Sequence, residues 1–165
     1  MTEPAADRAS DDSITLPGGL PNGSAPLPGL ITSGQPAAEQ LVQLAANGVA
    51  VVIDLRARAE PRGFDEPAAA ARLAIEYHNV PVDGATIGAR EFDAVRSLLS
   101  ARPARPTLLH CKSANRVGAV LVPYLVLDEH RSRDDALQIA RQVGLRSDEM
   151  TRAALAYIDA AQRRD

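Results

Sequence analysis

The chain has 165 residues with a net charge of −3, is 45% hydrophobic, and holds one cysteine, three histidines and no tryptophan. That length accommodates one domain with a sizeable core. A single cysteine excludes an intrachain disulfide and a cysteine-clustered zinc site, and the scattered His78, His110 and His130 argue against a His-rich metal site.

No apolar run reaches the ~20 residues of a membrane helix, and the opening MTEPAADRASDD lacks a signal-peptide core. The mild acidity speaks against nucleic acid as a partner. The expectation is a cytoplasmic domain with no metal, no cofactor, and no membrane or nucleic-acid partner; its oligomeric state is open.

In chain order, residues 1–28 are dense in Pro, Gly, Ser and Asp and bury too little apolar surface to offset ordering entropy. They are expected to form a flexible tail, with the folded domain over 29–165. Leu30-Ile31-Thr32 reads as a short strand. Gln35-Pro36 opens a helix with Leu41, Val42 and Leu44 on its apolar face, closed by Asn47-Gly48. The unbroken run Val49 to Ile53 suits a strand covered on both faces. The stretch Ala57 to Gly63 reads as a loop, Glu66 to Leu73 as a helix, and Ile75 to Pro81 as a strand.

Glu91 to Leu99 carries Phe92, Val95, Leu98 and Leu99 at helical spacing, and Thr107 to His110 is the next strand. Val117 to Leu127 is apolar nearly all round and so predicts a buried helix, kinked at Pro123. Ser132 and Ser147 are placed as N-caps of helices over 133–143 and 148–162. Strands alternating with helices predict an α/β fold, a mainly parallel central sheet flanked by helices, with its ligand beyond the carboxyl ends of the strands.

At the end of that last strand stands His110-Cys111-Lys112-Ser113-Ala114-Asn115-Arg116, followed directly by the buried helix. A strand-loop-helix junction turns backbone N–H groups inward, and the helix N-terminus adds partial positive charge, so the loop suits an anion of phosphate or sulfate size. The same field favours a cysteine thiolate. Arg116 can grip two oxygens with its planar fork, and Lys112 is the only lysine in the chain. His110 is expected to hydrogen-bond the loop backbone and help orient the cysteine.

Cys111 and Arg116 in this setting resemble the phosphate-binding loop of cysteine-dependent protein tyrosine and dual-specificity phosphatases. The closer resemblance is to the bacterial beta-lactamase-hydrolase-like phosphatases. Ile31-Thr32-Ser33-Gly34-Gln35-Pro36 and Ile53-Asp54-Leu55-Arg56 resemble further segments of that branch. The resemblance implies a protein-tyrosine-phosphatase-like fold, with residues 29–165 as the catalytic domain, and a hydrolase acting on an anionic phosphorylated protein or small molecule through a cysteinyl-phosphate.

Two features depart from the pattern. Four residues instead of five separate Cys111 from Arg116, as in the rhodanese loop, and Val117 stands where many such phosphatases carry Ser or Thr. A rhodanese-like sulfurtransferase using a Cys111 persulfide, and a non-catalytic anion- or phosphoresidue-binding module, therefore stand as alternatives. Ser113 is the one hydroxyl inside the loop able to substitute.

The resemblance also implies an acid on a loop after the preceding strand, where Val80-Pro81-Val82-Asp83-Gly84 lies. Asp83 is the expected general acid, with Glu91 and Asp93 as alternatives on a helix. Asp54 and Arg56 are expected beside the site, Asp54 orienting the loop or Arg116. Arg56, Arg58 and Arg62 could add positive potential. His78 is expected to have no chemical role.

Overall fold

Neighbouring residues in a strand point to opposite faces, so an apolar run in a parallel sheet must be covered twice. The computed structural model describes residues 14–102 and 104–165 and shows this layering. Its five strands are β1 (Ser24–Leu27), β2 (Leu30–Ser33), β3 (Val51–Asp54), β4 (Glu76–Asn79) and β5 (Thr107–His110). The six helices are α1 (Ala38–Ala46), α2 (Glu66–Arg72), α3 (Ala89–Leu99), α4 (Asn115–Leu127), α5 (Arg133–Val143) and α6 (Asp148–Arg164). Ile31, Val52 and Leu108 face one core with Leu41 and Leu44 of α1. Their neighbours Leu30, Ile53 and Leu109 face the larger core built by α3 to α6.

The strand order is β1-β2-β5-β3-β4, with every pairing parallel except β1 with β2. Parallel pairing puts the carboxyl ends of β2, β5, β3 and β4 on one edge. The register sets Ser33 and Asp54 on either side of His110. β5 is thus central, and the loop it feeds emerges between the loops that follow β2 and β3.

α4 is the buried helix expected, with every residue from Val117 to Val126 shielded, and it continues past Pro123. A Cβ on Gly118 would stand 2.6 Å from Leu145 Cβ, so glycine lets the α5–α6 connection close onto α4. Ser132 and Ser147 cap α5 and α6, accepting from Asp135 N and Met150 N at 3.1 Å each.

The structure corrects the expectation of a tail over residues 1–28. β1 lies in that stretch and extends the sheet, Leu20 and Leu27 are buried, and Ile14 and Leu16 pack on the smaller core. Here Pro and Gly build turns: Pro28-Gly29 joins β1 to β2 with Gly29 at φ +70°, where a Cβ would be strained. The remainder of the expected tail, residues 1–13, lies outside the described residues, as does Pro103. Among the described residues no helix is long and apolar enough to cross a membrane.

Candidate active site

Cys111 follows β5 and is buried at 1% exposure, its N–H donating to the Ser33 carbonyl at 3.3 Å. The chain then turns through Ala114, which sits at φ +65°, and enters α4 at Asn115. A non-glycine residue in the left-handed region is strained by about 1–2 kcal/mol. The tightness of a four-residue loop between strand and helix accounts for it. Lys112 is exposed, while its carbonyl accepts from Gln35 N at 3.1 Å. A Cβ on Gly34 would collide with that carbonyl, so the β2–α1 turn fits the loop only as glycine.

The α5–α6 connection closes the other side. Asn115 Oδ1 accepts from Arg146 N at 2.8 Å and Ser147 N at 3.2 Å, and Arg146 Nη2 donates to Ser113 Oγ at 3.3 Å. Asn115 and Ser113 therefore serve as braces. Val117 points into the core, so no hydroxyl follows Arg116.

Arg116 is half-buried and meets Glu60 through both terminal nitrogens, Nη1 to Oε2 at 2.8 Å and Nη2 to Oε1 at 2.9 Å. Glu60 also accepts from Ala57 N at 2.5 Å and from Arg56 Nε at 3.3 Å. The Arg116 guanidinium holds the Glu60 carboxyl down, from its ordinary 4.5 to about 2, with burial opposing. Arg116 is in turn pushed upward, chiefly by Glu60, and the Cys111 sulfur contributes in the same direction. Cys111 and Arg116 thus stand at the two ends of one short loop.

Of the two roles expected for Asp54, orienting the loop or Arg116, the second is not seen: its hydrogen bonds go elsewhere. Its buried carboxylate accepts from Arg56 N at 2.9 Å, Arg62 Nε at 2.6 Å and the Tyr77 hydroxyl. This acceptance and burial push Tyr77 upward, burial first. Arg62 is consequently paired and offers no free charge to a substrate. Arg56 is buried too, with Nη1 on Gln35 Oε1 at 3.1 Å, and braces Glu60; only Arg58 of the three arginines is exposed.

His110 is fully buried, with Nδ1 3.3 Å from the Cys111 carbonyl and Nε2 2.7 Å from Glu66 Oε2. Asp54, Glu66 and His110 bring three donor atoms within 4.8 Å of one another, the spacing of a cation site. The three side chains already serve Arg62, Tyr77, Gln35 and one another.

Asp83 is exposed in the turn after β4, its Oδ1 accepting from Ala85 N at 2.8 Å. It lines a cavity of about 600 Å³ together with Arg116, Glu60, Glu91 and Met150. Glu91 Oε2 accepts from Gly88 N at 3.0 Å at the start of α3, and Asp93 accepts from the Tyr157 hydroxyl, so both have structural duties. His78 lies on the edge strand β4, 2.6 Å from Glu76.

Four contributors were not singled out from sequence for these contacts: Glu60, Glu66, the Gln35 side chain and Arg146. The spacing of Arg56 and Glu60, four apart in a charged loop, was the only local signal for any of them.

A mainly parallel sheet whose central strand feeds a buried helix agrees with the comparisons. The model of the family described as "DSP-PTPase phosphatase fused to NAD+ Kinase" matches residues 28–156. The chain belongs to this family of DSP/PTP-like phosphatases. It is also 31% identical over 110 residues to beta-lactamase hydrolase-like proteins of two Xylella fastidiosa strains, an alignment covering 64% of this chain and 25% of each relative. The chain therefore spans about a quarter of those relatives' length.

Among solved structures, a DUF442 protein of Shewanella putrefaciens CN-32 superposes with a TM-score of 0.75 at 22% identity, covering 87% of this chain and 94% of that one. P. aeruginosa TpbA gives a TM-score of 0.66 at 22% identity, covering 85% and 84%. At such identities the likeness is one of fold. This DSP/PTP-like chain shares the fold, and its own Cys111 stands at the carboxyl edge of the sheet.

Proposed function

We propose that the domain is a cysteine-dependent phosphatase that hydrolyses phosphomonoesters through a cysteinyl-phosphate. The observation that carries this reading is the placement of Cys111 and Arg116 at the two ends of a loop entering the N-terminus of α4, with Asp83 lining the same cavity as Arg116. The Cys111 thiolate attacks phosphorus, and the S–P bond forms as the bond to the leaving oxygen breaks. Asp83 supplies the proton to that oxygen. Water then attacks phosphorus, the Asp83 carboxylate takes its proton, and the S–P bond breaks to return the thiolate.

Arg116 and the loop N–H groups stabilise the equatorial oxygens. Glu60 occupies both terminal nitrogens of Arg116 end-on. A guanidinium has five donors, so the side edge containing Nε–H stays available for two phosphoryl oxygens.

The substrate class is an anionic phosphorylated protein or small molecule. TpbA, similar in fold, has been crystallised as a variant in complex with phosphotyrosine, which favours an aryl phosphate as the first substrate to try. Phosphate release from an aryl phosphate by wild type, lost in Cys111→Ser, is the expected result. Thiocyanate production from thiosulfate and cyanide without phosphate release would instead establish the sulfurtransferase. A phosphate-induced rise in Tm with neither activity would establish the binding module.

A further inference from the structure

The loop after β3 leaves the sheet without regular structure, so its backbone carbonyls need donors from elsewhere. Arg62 supplies them. Its Nη1 donates to the carbonyls of Arg58 at 3.2 Å and Glu60 at 2.9 Å, and its Nη2 to those of Arg56 and Ala57 at 3.2 Å each. Its Nε donates to Asp54 Oδ2 at 2.6 Å, so every N–H of the guanidinium is engaged. Asp54 is fully buried at the end of β3 and is held by the Tyr77 hydroxyl as well. Asn79 Nδ2 ties the carbonyls of Asp54 and Arg56 together at 2.8 and 2.7 Å. The loop is thus wound around one side chain that is itself anchored on the sheet. Glu60 joins this winding to the site: Arg62 holds its carbonyl, and its carboxylate meets both terminal nitrogens of Arg116.

We infer that Arg62 is a positioning residue for Arg116, the template that winds residues 56–60 and so fixes where the Glu60 carboxylate meets the Arg116 guanidinium. With every N–H engaged, Arg62 has none left for a substrate. It lines a neighbouring cavity of about 540 Å³, whereas Arg116 and Asp83 line the catalytic one, and Glu60 lines both. Lysine in its place would keep the charge beside Asp54, but its donors share a single nitrogen and cannot span the four carbonyls. The effect on turnover rests on the phosphatase reading; the effect on the loop does not.

Arg62→Lys is expected to lower kcat/KM for an aryl phosphate about tenfold, and by less than about twofold when introduced into Glu60→Gln, where the path to Arg116 is already cut. A general loosening of the fold would lower activity equally in both backgrounds. Equal losses, or an unchanged kcat/KM in a folded Arg62→Lys, would overturn the inference. Amide hydrogen exchange reads the loop without turnover. The Ala57 and Glu60 amides donate to Glu60 Oε2 and the Ala57 carbonyl, and should exchange about tenfold faster in Arg62→Lys. Unchanged exchange overturns the inference as well. Should that variant not fold, wild type labelled with ¹⁵N-arginine decides the matter. Arg62 is expected to give separate signals for its Nη hydrogens, and signals averaged by free rotation overturn the assignment. Absence of phosphatase turnover in wild type would count against the proposed function and leave the exchange and arginine readouts intact.

Discussion

Glu60 and Arg116 meet end-on, with paired contacts of 2.8 and 2.9 Å. The carboxylate comes from the loop after β3 and the guanidinium from the first turn of α4, so the pair ties the loop after β3 to the nucleophile's own loop. Arg56 and the Ala57 amide hold the carboxylate from behind. The fork is thereby fixed before any substrate arrives, and orientation of this kind is where a small displacement costs much rate.

Glu60→Gln is expected to lower kcat/KM by about 10- to 100-fold while leaving the fold intact, measured with an aryl phosphate. The same pair has an acid signature. Glu60 is depressed to about 2 in the folded chain from an ordinary 4.5, so its contribution to stability is complete above about 4.5 and is lost as pH falls toward 2. The Tm gap between wild type and Glu60→Gln should stay constant from neutral pH to about 5 and close below that. A gap that widens on acidification would contradict the pairing.

Asp83 and Glu91 line one cavity and are distinguished by their contacts. Asp83→Asn should slow an alkyl phosphate, a poor leaving group, by about 10²-fold or more, with a much smaller effect on p-nitrophenyl phosphate. Glu91→Gln keeps an acceptor for Gly88 N and should change both rates by less than about twofold. Uniform losses across leaving groups in Asp83→Asn would remove it from proton transfer.

Gly34 abuts the Lys112 carbonyl, so Gly34→Ala must displace the cysteine loop. A cost of about 1–3 kcal/mol in denaturant unfolding, with a clear loss of activity, is expected. Gly48→Ala is the control: Gly48 sits at φ +101° with nothing within 4 Å of an added Cβ. It should cost about 1 kcal/mol from strain alone and leave kcat/KM unchanged.

Asn115→Ala releases the amides of Arg146 and Ser147 and should cost about 1 kcal/mol, or about 2–4 °C in Tm for a domain of this size. Calorimetry against wild type reads it directly. No change in Tm would show that water replaces the side chain without loss.

Local chemistry in the sequence determined much of this molecule. Unbroken apolar runs such as Val51-Val52-Ile53 require cover on both faces and so imply a parallel sheet between helices. Ser132 and Ser147 announce their helices because a cap bonds within three residues. Cys111 and Arg116 are legible because one short loop carries both.

What the tertiary structure alone decided are the partners. Glu60 reaches Arg116 across 56 positions, Glu66 reaches His110 across 44, and Asn115 reaches Arg146 across 31. β1 likewise becomes a strand only because the edge of β2 pairs with it, its own four residues carrying a proline and no apolar alternation to declare one. Periodicity and capping record forces acting within a few residues. Which carboxylate braces which base depends on strand order and register, which bring distant loops to one edge of the sheet.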